Sequence, residues 1–324
     1  MSWPYLFKSR KEKTALLFET IRQDPYFEDI LYSLADFGYE MHFPFFGNVG
    51  LYIPHSIATE KLDSPEKQQA FADGFVQALG SENAPIARFH LCASLGQDVN
   101  THSLLHEIIH FYQDMLGLYL IPIAERGVYP VHLDMQSFVS AFLFCEAWAE
   151  VEAIGASWRL KEKGVSSPWN GAMASADWRE LAREFEKDME RGTMFEKASA
   201  NIFNTWYEGK HRSFYEKHAA EIYSDMTEKY RKNAPDISER EIGKALRKLE
   251  LPMVLIKIPK KKIPAYLTHL DWADERYSSI QSPHVQEKIA AHDSLYGVCD
   301  NTNVQDIRIG TPPYLWNRLR SASL

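Results

Sequence analysis

The segment HSLLHEIIHFYQD, residues 102–114, places His106, Glu107 and His110 in an H-E-x-x-H arrangement. On a helix, residues four apart share one face and lie about 6 Å apart at roughly 1.5 Å rise per residue. Two imidazoles at that spacing can converge on one zinc ion without straining the backbone. Glu107 lies about 100° further round the helix. From there its carboxylate reaches a water on the metal rather than the metal itself, so one rigid element offers two ligands and a general base. Roughly one chain in 25 to 30 of this length and composition would carry the pattern by chance, so context decides. Leu104, Leu105, Ile108, Ile109 and Phe111 surround the motif with apolar bulk. The helix is therefore expected to be buried, and buried histidines and glutamates need partners, of which a metal is the most economical.

A catalytic zinc usually takes three protein ligands and keeps one open position. A second segment, FCEAWAEVEAIGA, residues 144–156, offers the third, with Glu146 and Glu150 four apart among small residues that admit close helix packing. In this reading Glu146 binds the metal. Glu150 accepts a hydrogen bond from the far nitrogen of a ligand histidine and fixes its tautomer. The two glutamates could exchange these roles. Glu152 is read as part of a solvated acidic face. Gln113 and Asp114, one turn beyond His110, are candidates for holding the ligand histidines. His102, one turn before His106, is expected at the surface, because three points on a straight helix do not converge on one ion. Tyr207, Tyr215, Tyr223, His292 and Tyr296 are candidates by type for stabilising an oxyanion.

These residues need elements to position them. Residues 11–37 carry two helical patterns, the second opening after Asp24 as an N-cap. YEMHFPFF and VGLYIPH flank Gly47-Asn48 and predict a hairpin over 39–54. Residues 64–79 predict a helix and ARFHLCASL, 87–95, a strand. Two long helices follow, from about 100 to 116 and from about 134 to 163. The loop between them contains Pro122, Gly127 and Pro130. Further helices are expected near 176–190, 194–231, 238–249 and 283–296, with PMVLIKI, 252–258, as a possible strand. The fold class expected is α+β and mainly helical.

Composition excludes several classes of function. The 324 residues include 36 Lys plus Arg against 44 Asp plus Glu, and 36 − 44 gives a net charge of −8. That balance disfavours a general nucleic-acid binder, which needs a basic surface. The basic run KIPKKKIP, 257–264, reads as a solvated surface, and the tail TPPYLWNRLR has no assigned role. Three cysteines without a C-x-x-C pair fit neither a disulfide framework nor a thiolate metal site. No stretch approaches 18 uninterrupted apolar residues, so no membrane span is expected. With no secretory h-region visible, a cytoplasmic location is the default expectation, and export by a machinery that reads no cleavable signal would look the same.

HEIIHFYQD, followed 36 residues after His110 by EAWAEVEA, resembles the zincin metallopeptidases whose third ligand is a glutamate, the gluzincin arrangement. Glu150 stands where that pattern more often has Asp. More narrowly, the H-E-x-x-H-x-x-Q-D and E-A-x-A-E runs resemble the bacterial putative metallopeptidases of the DUF6782 family. FNTWYEGKHRSFYEKHAAEIY, 203–223, is similar to that family's downstream aromatic region. The resemblance covers roughly residues 100–225. It implies a zincin-like fold, in which a small N-terminal sheet precedes the active-site helix, with bound Zn2+ but no known substrate; the metallopeptidase reading itself expects a protein or peptide substrate. In such a fold the edge strand can pair with an extended peptide, and ARFHLCASL is the candidate edge. A metallopeptidase core over 1–235 with a C-terminal extension over 236–324 is the expected organisation. A zinc hydrolase of small amides or esters and a zinc-stabilised interaction protein are the alternatives. A ferritin-like di-iron site would need two E-x-x-H units, and only Glu107 to His110 supplies one.

Overall fold

A computed structural model describes residues 5, 7–37, 39–44, 50–54, 87–116, 118, 133–233, 238–246, 248 and 262–297. The expected helix at 64–79, the strand at 252–258, the Gly47-Asn48 turn, the loop around Pro122–Pro130, most of the basic run and the C-terminal tail lie outside the described residues.

The order is α1 (Arg10–Ile21), α2 (Pro25–Phe37), β1 (Tyr39–His42), β2 (Gly50–Pro54), β3 (Ala87–Leu91), α3 (Gln97–Met115), α4 (Met135–Glu162), α5 (Ser167–Ala174), α6 (Arg179–Glu190), α7 (Phe195–Glu208), α8 (Lys210–Asn233), α9 (Glu239–Ala245) and α10 (Pro283–Tyr296), with two short 3-10 segments at Ala265–His269 and Glu275–Tyr277. The described residues are mainly helical with one small sheet, and none of the described helices is long and apolar enough to cross a membrane. It divides into two compact units. One comprises Met1–Ile57, Phe75–Gln113 and Ala147–Thr205, and the other Ala58–Gly74, Asp114–Glu146 and Trp206–Leu324.

The sheet corrects two expectations. β1 and β2 do not form a hairpin with each other: β3 lies between them, parallel to β1 and antiparallel to β2, in the order β1-β3-β2. ARFHL is therefore the central strand, with both edges occupied, and cannot be the edge that receives a peptide. Local periodicity identifies strands but does not show which distant strand inserts between two neighbours. The helix expected over 194–231 is two helices, broken at Gly209. The short α5 had no counterpart in the sequence reading.

The central strand leads directly into the H-E-x-x-H helix. After Leu91 the chain turns through Cys92–Gly96. Asn100, fully buried on the first turn of α3, donates its amide to the carbonyls of Cys92 (3.1 Å) and Leu95 (3.2 Å). That satisfies turn carbonyls that burial would otherwise leave unpaired. Backbone contact holds the same turn from outside. A Cβ on Gly171 of α5 would stand 2.1 Å from the Asp98 carbonyl oxygen, so only glycine admits this approach. Beside it, Ser167 donates to Asp98 Oδ1 at 2.6 Å.

α4 opens at Asp134, whose Oδ1 accepts from the Ser137 backbone at 2.7 Å, an N-cap bond of the kind worth about 1 kcal/mol. Tyr223 of α8 donates its hydroxyl to the Leu133 carbonyl at 2.9 Å, bracing the same helix start. The other end of α4 stops at Gly164, whose φ of +86° suits glycine. Between those ends α4 is buried on nearly every side.

Candidate metal centre

His106 and His110 project from α3, and Glu146 from the middle of α4. All three are buried, and their ligand atoms lie within 4.8 Å of one another. The two imidazoles meet edge to face, with Nε2 of His110 3.0 Å from Nε2 of His106. Their outer nitrogens face acceptors. His106 Nδ1 is 3.2 Å from Glu150 Oε2, and His110 Nδ1 is 2.9 Å from Gln113 Oε1. A carboxylate and an amide oxygen can only accept from these nitrogens. The Gln113 oxygen favours the Nδ1-protonated tautomer of His110, and the nearby Glu150 carboxylate favours the same tautomer of His106 electrostatically; in that state both Nε2 lone pairs point inward. Two Nε2 lone pairs facing one another repel unless a proton or a cation sits between them.

That arrangement suits a metal ion. Tetrahedral coordination with metal–nitrogen bonds of about 2.0–2.1 Å separates two nitrogens by about 3.3 Å, a few tenths more than the 3.0 Å here. A small rotation of either ring covers the difference. Two imidazoles and a carboxylate form a borderline donor set, suited to zinc and to several other divalent first-row metals.

Glu107, 6% exposed, occupies the same helix beside this cluster. The Asp114 side chain lies outside the described residues. His102 is fully buried, which corrects its expected surface role. Its Nδ1 is 2.9 Å from Ser157 Oγ on α4, and its ring packs at 4.4 Å from that of Trp178. Burial, aided by neighbouring His106, pushes the His102 pKa down to about 3, so at neutral pH it is an uncharged pin between α3 and α4. Tyr112 and Trp148, in edge contact at 6.4 Å, add an aromatic join between the same helices.

The oxyanion candidates fall into packing roles. Tyr223 is committed to the Leu133 carbonyl and to His292 Nε2 at 3.1 Å, and the His292 ring also packs on Tyr296 at 4.7 Å. Tyr207 lies in the core against Trp206 and Tyr277, and Tyr215 packs on Trp206 and Phe142. Sixteen tyrosines gave the sequence no means of ranking them.

A family model described as "Putative metallopeptidase family (DUF6782)" matches residues 58–243 of the chain. The chain belongs to this family. The match extends past the resemblance read from the motifs at both ends, and within it fall α3, α4 and every residue of the His106/His110/Glu146 cluster. No curated protein and no solved structure matches the chain. Membership in DUF6782 therefore supplies a class, while the residues supply the chemistry.

Glu152 escaped the sequence reading. Expected on a solvated face, it is buried on α4, and burial lifts its pKa to about 7. Arg159, seven residues on and so on the same face of the helix, is a nearby charge that opposes this shift and was the available signal.

Proposed function

We propose that this chain is a zinc-dependent metallopeptidase of the zincin type, with His106, His110 and Glu146 as the metal ligands and Glu107 as the general base. The observation that carries the reading is the convergence of two Nε2 atoms and a carboxylate, with both outer nitrogens facing acceptors. Pairings of this kind orient ligating histidines and raise their basicity. When bound, zinc would lower the pKa of a coordinated water towards about 7 and polarise a substrate carbonyl. Glu107 would take that water's proton as attack proceeds and deliver it to the leaving amine. Its near-complete burial strengthens its electrostatic influence on the reacting atoms. Glu150 and Gln113 would hold the ligand rings in register.

We also propose that residues 1–235 form the catalytic core and 236–324 an extension packed on it. A buried clamp supports that packing: Arg212 and Glu216 of α8 grip the backbone of 279–282 just before α10.

Comparing peptides released from a cell extract by the wild type and by Glu107→Gln, each loaded with one zinc, tests the function. Cleavages present only with wild type are expected. Identical peptide sets, with hydrolysis of small amides or esters by the wild type alone, would replace peptidase by small-molecule hydrolase.

A further inference from the structure

Two polar contacts join α3 to α4 along one seam. His106 Nδ1 stands 3.2 Å from Glu150 Oε2, and His102 Nδ1 stands 2.9 Å from Ser157 Oγ. His102 and His106 are one turn apart on α3, and Glu150 and Ser157 two turns apart on α4, so each pair shares a face of its helix. The second contact has no part in the chemistry above, yet it is fully enclosed. His102 and Ser157 are both buried, and the Trp178 ring lies 4.4 Å from the imidazole. A core built for stability alone would not choose this histidine. Among the described residues His102 Nε2 is buried without a hydrogen-bond partner. An unpaired polar atom in the interior carries a free-energy penalty that a leucine of similar size would not.

What an apolar residue could not supply is register. The α4 side chains on either side of Ser157 include Ala153, Ile154, Ala156 and Leu160, all buried. Burial of such groups is non-directional, so it holds two helices together without fixing how far one has slid along the other. A hydrogen bond does fix that. One turn away along α4, His102 would meet Ala153 or Ile154 in one direction and Leu160 or Lys161 in the other. Lys161 is already held by Glu186 and by the Trp158 and Trp169 rings. Among these positions only Ser157 offers the imidazole a hydroxyl. A slide of one turn is about 5.4 Å, whereas metal–ligand distances are set to within about 0.2 Å.

We propose, on the basis of the zinc site assigned above, that His102 is a positioning residue for the metal centre. Its hydrogen bond to Ser157 sets the register of α3 on α4, at some expense in stability, and so holds the ligand histidines opposite Glu150 and, one turn on, Glu146. A buried polar side chain that fixes the register of a coiled coil while lowering its stability works in the same way.

The test combines metal-free denaturant unfolding, zinc affinity by competition with a chelating dye, and the absorption spectrum of the cobalt(II)-substituted protein. A double variant, His102→Leu with Ser157→Ala, removes both polar groups and strands neither. Its metal-free unfolding midpoint is expected at or above the wild-type value. Its zinc affinity should fall about 10-fold or more, the scale of losing a group that orients a ligand, and its cobalt spectrum should change. His102→Asn keeps a polar atom near the place of Nδ1 and should restore both affinity and spectrum. A double variant with unchanged affinity and spectrum, a lowered midpoint or no stable fold would show the pair to be structural only and overturn the proposal, as would a failure of His102→Asn to restore binding. A wild type that binds no zinc would overturn the site reading itself, and this role with it. None of these readouts depends on catalytic activity.

Discussion

On α8, Arg212 and Glu216 stand one turn apart, as His106 and His110 do on α3, and all four side chains are buried. The clamp on α8 is finished within the chain. Arg212 donates from Nε to Glu216 at 2.9 Å, from Nη1 to the Tyr207 carbonyl and from Nη2 to Ser279, while Glu216 accepts from the backbone of Gln281 and Ser282. Donors meet acceptors, as buried polar groups require. On α3 the outer nitrogens stand beside Gln113 and Glu150, which favour protons there, and in that state the inner nitrogens, 3.0 Å apart, turn lone pair to lone pair. The contrast teaches what separates a buried structural pair from a metal site. The polar groups of the structural pair satisfy one another, whereas those of the metal site point their lone pairs at a common centre.

Mutations can break this comparison from either side. The largest effect is expected for Glu107→Gln, which should lower hydrolysis roughly 100- to 10,000-fold while zinc stays bound and the unfolding curve barely moves. Turnover, zinc content and denaturant midpoint measured on one preparation check all three. Next comes Arg212→Ala, which strands the Glu216 carboxylate in the interior and should cost about 3–5 kcal/mol of stability. Denaturant unfolding measures the cost, and the folded fraction should still bind zinc with wild-type affinity. If this variant lost zinc affinity without losing stability, the two clusters would not have the separate roles assigned to them.

Gln113→Ala removes the acceptor at His110 Nδ1 and should weaken zinc binding roughly 10- to 100-fold, read by competition with a chelating dye. The smallest effect is Asp134→Ala, which removes the α4 N-cap for about 1 kcal/mol and should leave metal affinity unchanged. A large loss of affinity there would mean that the start of α4 helps to place Glu146.

The sequence made one of the two regions legible and left the other unread, for physical reasons. Residues four apart on a helix must share a face, so His106 with His110, and Glu146 with Glu150, could be paired from spacing alone. The acceptor at Gln113 followed from the same geometry. The α8 clamp was not legible as a clamp, because beyond the Arg212–Glu216 pair itself the backbone it grips at 279–282 lies more than sixty residues away. The small sheet failed likewise, since β3 reaches its place between β1 and β2 through non-local pairing. His102 and Glu152 were misplaced for a third reason. Polar residues on a helix are read as facing water, but α4 is buried on nearly every side and so is the face of α3 that carries His102. There, polar positions mark internal partners such as Ser157 and Arg159.

The central claim is that α3 and α4 together hold one metal ion, and zinc stoichiometry measured beside X-ray absorption tests it most directly. The wild type should bind one zinc per chain through two imidazole nitrogens and a carboxylate oxygen, and His106→Ala should lose it. A wild type that binds no divalent metal, or a His106→Ala protein that keeps its zinc with unchanged ligation, would contradict the account.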